Sequence, residues 1–404
     1  MKHFFHVIVS LIITLYGLCL SSCDGGRKPK SDLVLPVDSL FIDLGKEPVE
    51  RRAVMAERAF REMRNSIGLN GVVLYAEGGQ VIYEKAFGWR DLAHQRDSLR
   101  VDDQFQLSSV SKMFTAEAIM LLHAQGKLEY DDDLTKYVPE FPYKGITIRH
   151  LLNHRSGLSR YETLADEHWP DRGVPLSNEE LIKLYVKHRP DPYFELGTDF
   201  NYSNVNYALL ASVVERVSGQ HFEDFMKKEV FEPLGMHRSF IYSLRDADRL
   251  GLYVNTDVQG YDLYRKGPQR VQDDYLNGVV GDKVMYSTVE DLYRFSVALE
   301  NGLLLPQSIQ EEAFLPGSDE WKHGDNYGFG WRMSGRHPGA VYHFGWWKGY
   351  RSFFIINRKL ERVLIILTNT SSSAPGDPAW EFISDTTLLL PPACALPNGL
   401  SALD

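Results

Sequence analysis

Residues 105–118 read FQLSSVSKMFTAEA, and the change from polar to apolar inside this stretch is where the fold and the chemistry meet. From Ser109 to Gln125 the apolar positions Val110, Met113, Phe114, Ile119 and Leu122 follow helical spacing, and Gly126 stands where a helix stops. Ser109 and Lys112 are three apart at the start of that helix, so they share a face and the amine can reach the hydroxyl. If burial favours the uncharged amine, Lys112 can take the hydroxyl proton. The free amides and positive dipole end of the first turn favour the alkoxide and the oxyanion that follows it. A bare Ser-x-x-Lys match is expected about once by chance in a chain of this length, and as a rule it is a capped helix with a solvated Lys. Here Met113, Phe114 and Ile119 form a core-like face, so Lys112 is expected to be partly enclosed.

Working outward toward the N-terminus, residues 47–67 place Ala56, Phe60, Met63 and Ile67 three or four apart among charges, which predicts an amphipathic helix. The period then changes. Residues 71–77 (GVVLYAE), the turn Gly78-Gly79 and residues 80–89 predict a β-hairpin. Toward the C-terminus, residues 128–275 read as mostly helical, with segments at 179–187 and 208–217. Thr288-x-x-Asp291 opens a further helix to about Asn301, and residues 350–356 and 363–368 are β runs separated by the polar turn 357–361. Strands at both ends with helices between them predict one α/β domain built from residues 46–127 and 276–390, with a helical domain, 128–275, inserted. Residues 391–404 receive no structural assignment.

The 404 residues are 44% hydrophobic and 24% charged, which excludes disorder, collagen and a multi-span membrane protein. A net charge of −10 without a long basic run argues against a nucleic-acid partner. Seven Trp within a 12% aromatic content suggest a substantial cleft. Lys2, the apolar stretch 4–20 and Leu20-Ser21-Ser22-Cys23 resemble a bacterial lipoprotein signal, residues 1–22, with Cys23 lipidated. Residues 23–45 then read as a tether to a membrane, and the expected location is the bacterial cell envelope. If Cys19 leaves with the signal and Cys23 carries lipid, Cys394 has no partner, and no disulfide framework is expected.

Two further triplets can carry chemistry. Tyr202-Ser203-Asn204 lies in a loop, after Gly197-Thr198, that opens the apolar helix at Tyr207. A phenol there can relay a proton and an amide can hold a substrate amide. Tyr253-Val254-Asn255 and Tyr275-Leu276-Asn277 repeat the spacing without that context and read as structural. In His343-Phe344-Gly345, a polar or cationic side chain on a strand edge beside Gly lets a substrate backbone approach, and the Trp346 amide can join that of Ser109 as oxyanion donor. His337-Pro338-Gly339 belongs to a turn, because Pro cannot donate to a ladder. His150 and His154 have zinc-helix spacing, but Leu151 stands where that pattern needs Glu. Asp131-Asp132-Asp133 reads as a solvated turn and helix start, and His123 and His221 as ordinary histidines.

With Ser109-x-x-Lys112, Tyr202-x-Asn204 and His343-x-Gly345 in this order, the chain resembles the serine β-lactamase and penicillin-binding-protein-like family, in its class C, DD-peptidase and esterase branch. Residues 146–158 (ITIRHLLNHRSGL), 197–210 (GTDFNYSNVNYALL), 233–236 (PLGM) and 286–292 (YSTVEDL) extend the likeness over about residues 47–385. The resemblance implies an α+β fold, an antiparallel sheet flanked by helices with an inserted helical domain and the site in the cleft between them. It implies a serine hydrolase without metal or organic cofactor, with Ser109 acylated, Lys112 as base, Tyr202 as proton relay, Asn204 as amide anchor and His343 assisting electrostatics. The carbonyl attacked is that of a D-amino-acyl peptide, a β-lactam-like compound or a small ester. Phe344 stands where members acting on β-lactams or D-alanyl peptides usually have Ser or Thr, which points to an esterase with little β-lactam turnover. The rival is a non-catalytic penicillin-binding-like envelope protein. Trp346-Trp347-Lys348 offers stacking and a replacement cation, the chain after about Thr387 lacks a long closing helix, and oligomeric state is left open.

Overall fold

The computed structural model describes residues 46–245, 258–264, 266–321, 324–371 and 376–385, all within one compact unit. The lipoprotein signal, Cys23, the tether, Tyr253, Asn255, Cys394 and the tail 391–404 lie outside the described residues. In chain order, helix α1 is Lys46–Ile67, followed by strands β1 (Gly71–Glu77) and β2 (Gln80–Phe87). Helix α2 is Ser111–Ala124, α3 Ile148–Leu152, α4 Tyr161–His168, α5 Asn178–His188, α6 Asn204–Ser218 and α7 Val289–Asn301. Strands β3 (Asp325–Tyr327), β4 (Arg332–Ser334), β5 (Ala340–Trp347), β6 (Tyr350–Asn357) and β7 (Arg362–Thr368) precede α8, Gly376–Ser384.

One seven-stranded sheet, ordered β3-β4-β5-β6-β7-β1-β2, joins the N-terminal hairpin to the C-terminal strands. Every neighbouring pair is antiparallel, with Gly71 opposite Thr368 and His343 opposite Phe354. Both faces are covered, which is why β1 is buried along its whole length instead of alternating with polar residues. Val73, Tyr75, Ile355 and Ile366 pack on Phe60 and Met63 of α1 and Phe382 of α8. Val72, Leu74, Phe354 and Leu367 face the larger core built with α2, α6 and α7. Glu77 lies between Arg52 of α1 and Arg362 of β7, at 2.9 and 3.2 Å, so the layer outside the sheet is fixed by charge as well as apolar area.

Local signals explain most of the elements. Gly78-Gly79, both at positive φ, makes the β1–β2 turn, and Thr288 caps α7 by accepting from the Asp291 amide. Asp133 caps the turn Leu134–Lys136, while Asp131 and Asp132 pair with Arg149 and Lys136. The region 128–275 is not wholly helical: Tyr261–Tyr264 and Gly267–Arg270 pair antiparallel, and Phe240–Ile241 adds to Met285–Ser287. In Tyr261–Tyr264 the burial falls from buried Tyr261 to exposed Leu263 and Tyr264 without the period-two alternation by which a strand is read from sequence. Among the described residues no helix is long and apolar enough to cross a membrane.

Candidate active site

Ser109 sits in the single 3-10 turn Ser108–Val110, and α2 follows without a break. Ser108, directly before it, adopts the left-handed region at φ +52° with its side chain fully buried, a conformation that a non-glycine residue holds only when its surroundings impose it. The helix is buried on every side from Ser111 to Leu122, beyond the one core-like face read from spacing. Lys112 is 0% exposed. Its Nζ lies 3.2 Å from Ser109 Oγ and donates to the Asp282 carbonyl at 2.7 Å. Thr115 Oγ1 donates to the Gly281 carbonyl and the Met285 amide to Ser111 Oγ, so the first turns of α2 are stitched to residues 281–285. Gly281 is required: a Cβ there would lie 2.4 Å from the Tyr207 carbonyl and 2.5 Å from the Ala211 Cβ.

Tyr202 enters from the loop before α6. Its phenol oxygen is buried with no hydrogen-bond partner among the described residues, and its ring centroid is 5.0 Å from both Lys112 Nζ and Arg332 Cζ. The chain beyond Tyr202 is held by His154, 0% exposed, whose Nδ1 accepts from the Ser203 amide at 3.3 Å and Asn206 Nδ2 at 3.0 Å. Desolvation, then the charges of Lys112 and Arg332, hold His154 well below the usual histidine range, so the ring is neutral and free to accept. His154 and His150 do not share a helix face, because α3 ends at Leu152 and His150 closes a capping box with Thr147. Asn204 opens α6 and donates Nδ2 to Glu162 Oε1 at 2.6 Å; its Oδ1 is buried with no hydrogen-bond partner among the described residues, and Glu162 Oε2 faces the Arg160 guanidinium at 3.8 Å.

The third wall is β5. It pairs with β6 along its length, but with β4 only at Val341 and Tyr342, so the run from His343 to Trp347 presents an open edge among the described residues. Gly345 has no room for a side chain: a Cβ would lie 2.2 Å from the Leu107 carbonyl and from Ser352 Oγ, and 2.9 Å from the Ser108 Cβ. Glycine therefore lets the strand abut the Ser108–Val110 turn. The Phe344 ring packs 4.8 Å from Phe353 and 4.9 Å from Tyr342, and Trp346 is 65% exposed with Arg351 over its ring.

Ser109, Tyr202, Asn204, His343, Gly345 and Trp346 line one cleft of about 790 Å³, with Lys112 behind Ser109. A side compartment of about 430 Å³ shares Asn201, Tyr202 and Arg332 with it and adds Asn153, whose buried amide oxygen has no hydrogen-bond partner among the described residues. Two sequence expectations change. His343 brings no charge: it is 1% exposed, burial and the Arg332 and Lys112 charges lower it well below the usual range, and both ring nitrogens are engaged, by Tyr327 Oη and the Phe344 carbonyl. Lys348 is not a spare cation, because its amine is held by Asp274. Asn277 of the third Tyr-x-Asn copy bonds Asp273 and accepts from Trp347 Nε1, a structural role. Sequence reasoning missed Glu162, Arg332 and Asp282, which carry no motif, and set His154 aside with the zinc spacing. Arg332 Cζ stands over the rings of Tyr202 and Tyr327, in the wall between the two compartments.

The β-lactamase family model matches residues 56–388. A penicillin-binding protein of Bacillus subtilis (strain 168) is 35% identical over 310 residues, covering 74% of this chain and 68% of that protein. The solved penicillin-binding protein of Bacillus halodurans is 25% identical, covers 77% of this chain and 94% of that one, and has a TM-score of 0.67. The octameric penicillin-binding protein homologue of Pyrococcus abyssi is 27% identical, covers 80% and 75%, and has a TM-score of 0.69. A match over this span, with a relative above 30% identity, shows that the chain belongs to the β-lactamase family.

Proposed function

We propose that Ser109 is the nucleophile through which the protein, a serine hydrolase of the β-lactamase family acting on amide or ester carbonyls, forms its acyl-enzyme. The observation that carries this reading is the 3.2 Å approach of the Lys112 amine to Ser109 Oγ from a site shut off from water. A general base has to reach the hydroxyl uncharged, and enclosure from water is the environment that such chemistry needs. As Ser109 Oγ bonds the carbonyl carbon, its proton passes to Lys112. The oxyanion lies at the Ser109 and Trp346 amides, and the leaving group takes its proton by way of Tyr202, whose phenol oxygen has no hydrogen-bond partner among the described residues. Water then reverses the proton path to release the acid. The open edge of β5 suits an extended substrate backbone, and Asn204, fixed by Glu162, directs its oxygen to a substrate amide.

Phe344 offers no hydroxyl to a substrate carboxylate. The guanidinium of Arg332, flanked by rings instead of carboxylates, is a cation placed to meet one in the cleft wall. The substrate class is accordingly short esters and acyl-D-amino-acid amides or peptides, with penicillin turned over slowly. Cys23 lipidation and residence in the bacterial envelope complete the proposal; the similarity to penicillin-binding proteins supports the compartment. The test is mass spectrometry of the protein after exposure to a nitrophenyl ester, a D-alanyl-D-alanine peptide and a fluorescent penicillin. The expected result is an adduct on Ser109, absent in Ser109→Ala, with ester turnover exceeding penicillin turnover. Failure of every acylating probe would favour a non-catalytic binding protein, and penicillin turnover matching the ester would remove the argument from Phe344.

A further inference from the structure

We propose that Asp282 and Lys283 are positioning residues for the base: one residue holds the Lys112 amine through its backbone, and its side-chain charge is cancelled by the lysine next to it. The inference rests on Lys112 acting on Ser109. The Asp282 carbonyl accepts from Lys112 Nζ at 2.7 Å, while its carboxylate Oδ2 accepts from Lys283 Nζ at 2.9 Å and from the Tyr161 hydroxyl at 3.0 Å. Lys283 also donates to the Tyr161 oxygen, and its ammonium lies 4.9 and 5.0 Å from the ring centroids of Tyr161 and Trp347. Trp347 lines the substrate cleft.

All three residues are enclosed: Asp282 0%, Lys283 3% and Tyr161 1% exposed. A buried ion pair adds little to stability, since desolvation offsets the attraction, so its presence beside the base needs another reason. The backbone supports the same view. Gly281 has no space for a Cβ, and Val284 is held in the left-handed region at φ +65°, an outlier for a β-branched residue. Residues 281–284 are thus fixed in a strained path that presents one carbonyl to Lys112 and one carboxylate to Lys283.

The charges that face Lys112 are few. Tyr202 and Tyr207 offer ring faces, and His154 and His343 are neutral because burial, Arg332 and Lys112 itself depress both. Arg332 acts from β4. Around the pair, desolvation first and the Asp282 charge second push the Tyr161 phenol well above its usual range, so it remains a donor; Glu162 and Asp274 add to this, and Asp274 is itself paired with Lys348. The carboxylate on the residue that binds Lys112 is therefore that of Asp282. If Lys283 did not balance it, it would favour the ammonium form of Lys112 and disable the base.

Opposite substitutions should have opposite effects. In Lys283→Met an uncancelled carboxylate holds the proton on Lys112, and the acid limb of the kcat/KM–pH profile for ester hydrolysis moves up by about one pH unit or more at an effective dielectric constant of about 20. In Asp282→Asn the carbonyl is kept and an uncancelled ammonium remains, so the limb moves down by a similar amount. The double variant returns close to the parent profile. Tyr161→Phe keeps the shape and removes one donor from the carboxylate, which moves the limb up by a few tenths of a pH unit; it carries the test with the double variant if either single variant fails to fold. A purely structural role would lower the rate in all variants and leave the limb in place. Equal displacement in both single variants, or no displacement in Tyr161→Phe, overturns the proposal. Ser109→Ala run in parallel separates the two readings: an adduct that survives it refutes the nucleophile and with it the basis of this inference, whereas an adduct lost in Ser109→Ala with an unmoved acid limb in the Lys283 and Asp282 variants overturns the charge pair alone.

Discussion

Substituting Gly345 by Ala tests whether the contact between strand β5 and the nucleophile turn sets the reactive geometry. The added Cβ would lie 2.2 Å from both the Leu107 carbonyl and Ser352 Oγ. An ordinary contact is wider by roughly 1 Å, so strand and turn must separate by about that amount. Rotation of the Ser352 hydroxyl gives no relief, because it donates to the same Leu107 carbonyl at 2.5 Å. That carbonyl also accepts from the Val110 amide at 3.2 Å, and the Leu107 amide is tied to the Met285 carbonyl at 2.7 Å. The shift therefore passes to the residues around Ser109 and away from the Trp346 amide. Overpacking of this kind costs about 1–3 kcal/mol. A misplacement of about 1 Å at a reacting centre lowers the rate by roughly 100-fold, whereas the stability loss moves the melting temperature by only a few degrees. The assay is ester kcat/KM with the adduct mass on Ser109, beside thermal unfolding at the same pH. A folded Gly345→Ala protein that acylates at the parent rate would show that β5 and the nucleophile turn are not coupled in this way.

Two other substitutions separate recognition from stability. Arg332→Gln should raise KM for a peptide ending in a free carboxylate by about tenfold or more and leave a neutral nitrophenyl ester unchanged; equal effects on both substrates would refute carboxylate recognition at Arg332. Glu117, 1% exposed inside α2, has its carboxyl raised from 4.5 to about 8 by burial, opposed by a hydrogen bond from Gln310. The folded state therefore keeps a proton that the unfolded chain gives up near pH 4.5, so the contribution of this group is whole below that pH and declines as pH rises toward 8. The decline is on the order of 3 kcal/mol between pH 4.5 and 7. Melting curves of the protein and of Glu117→Gln should accordingly differ more in the protein's favour at pH 6 than at pH 8, and parallel curves would refute a buried neutral acid.

What spacing can reveal ends where contacts leave the local chain. Ser109 and Lys112 were legible because one helical turn brings them together, and the β1–β2 hairpin because Gly78-Gly79 sits between two β-rich runs. The helix that the sequence marks from Tyr207 was legible by its apolar run after Gly197-Thr198, though it begins at Asn204. Nothing local marks Glu162, which meets Asn204 across 42 positions of sequence because the first turns of α4 and α6 come together in the fold, or Asp282, which reaches Lys112 across 170 positions. His343 shows the same limit from the other side. The triplet points to this position, which lines the cleft, but its charge depends on Tyr327, Arg332 and the depth of burial, none of which is written in the triplet. A substitution at Lys283 or Arg332 is thus the more informative kind of experiment. These positions are set by tertiary packing alone, and their effect on the pH profile or on carboxylate preference follows from charge placement that no sequence motif encodes.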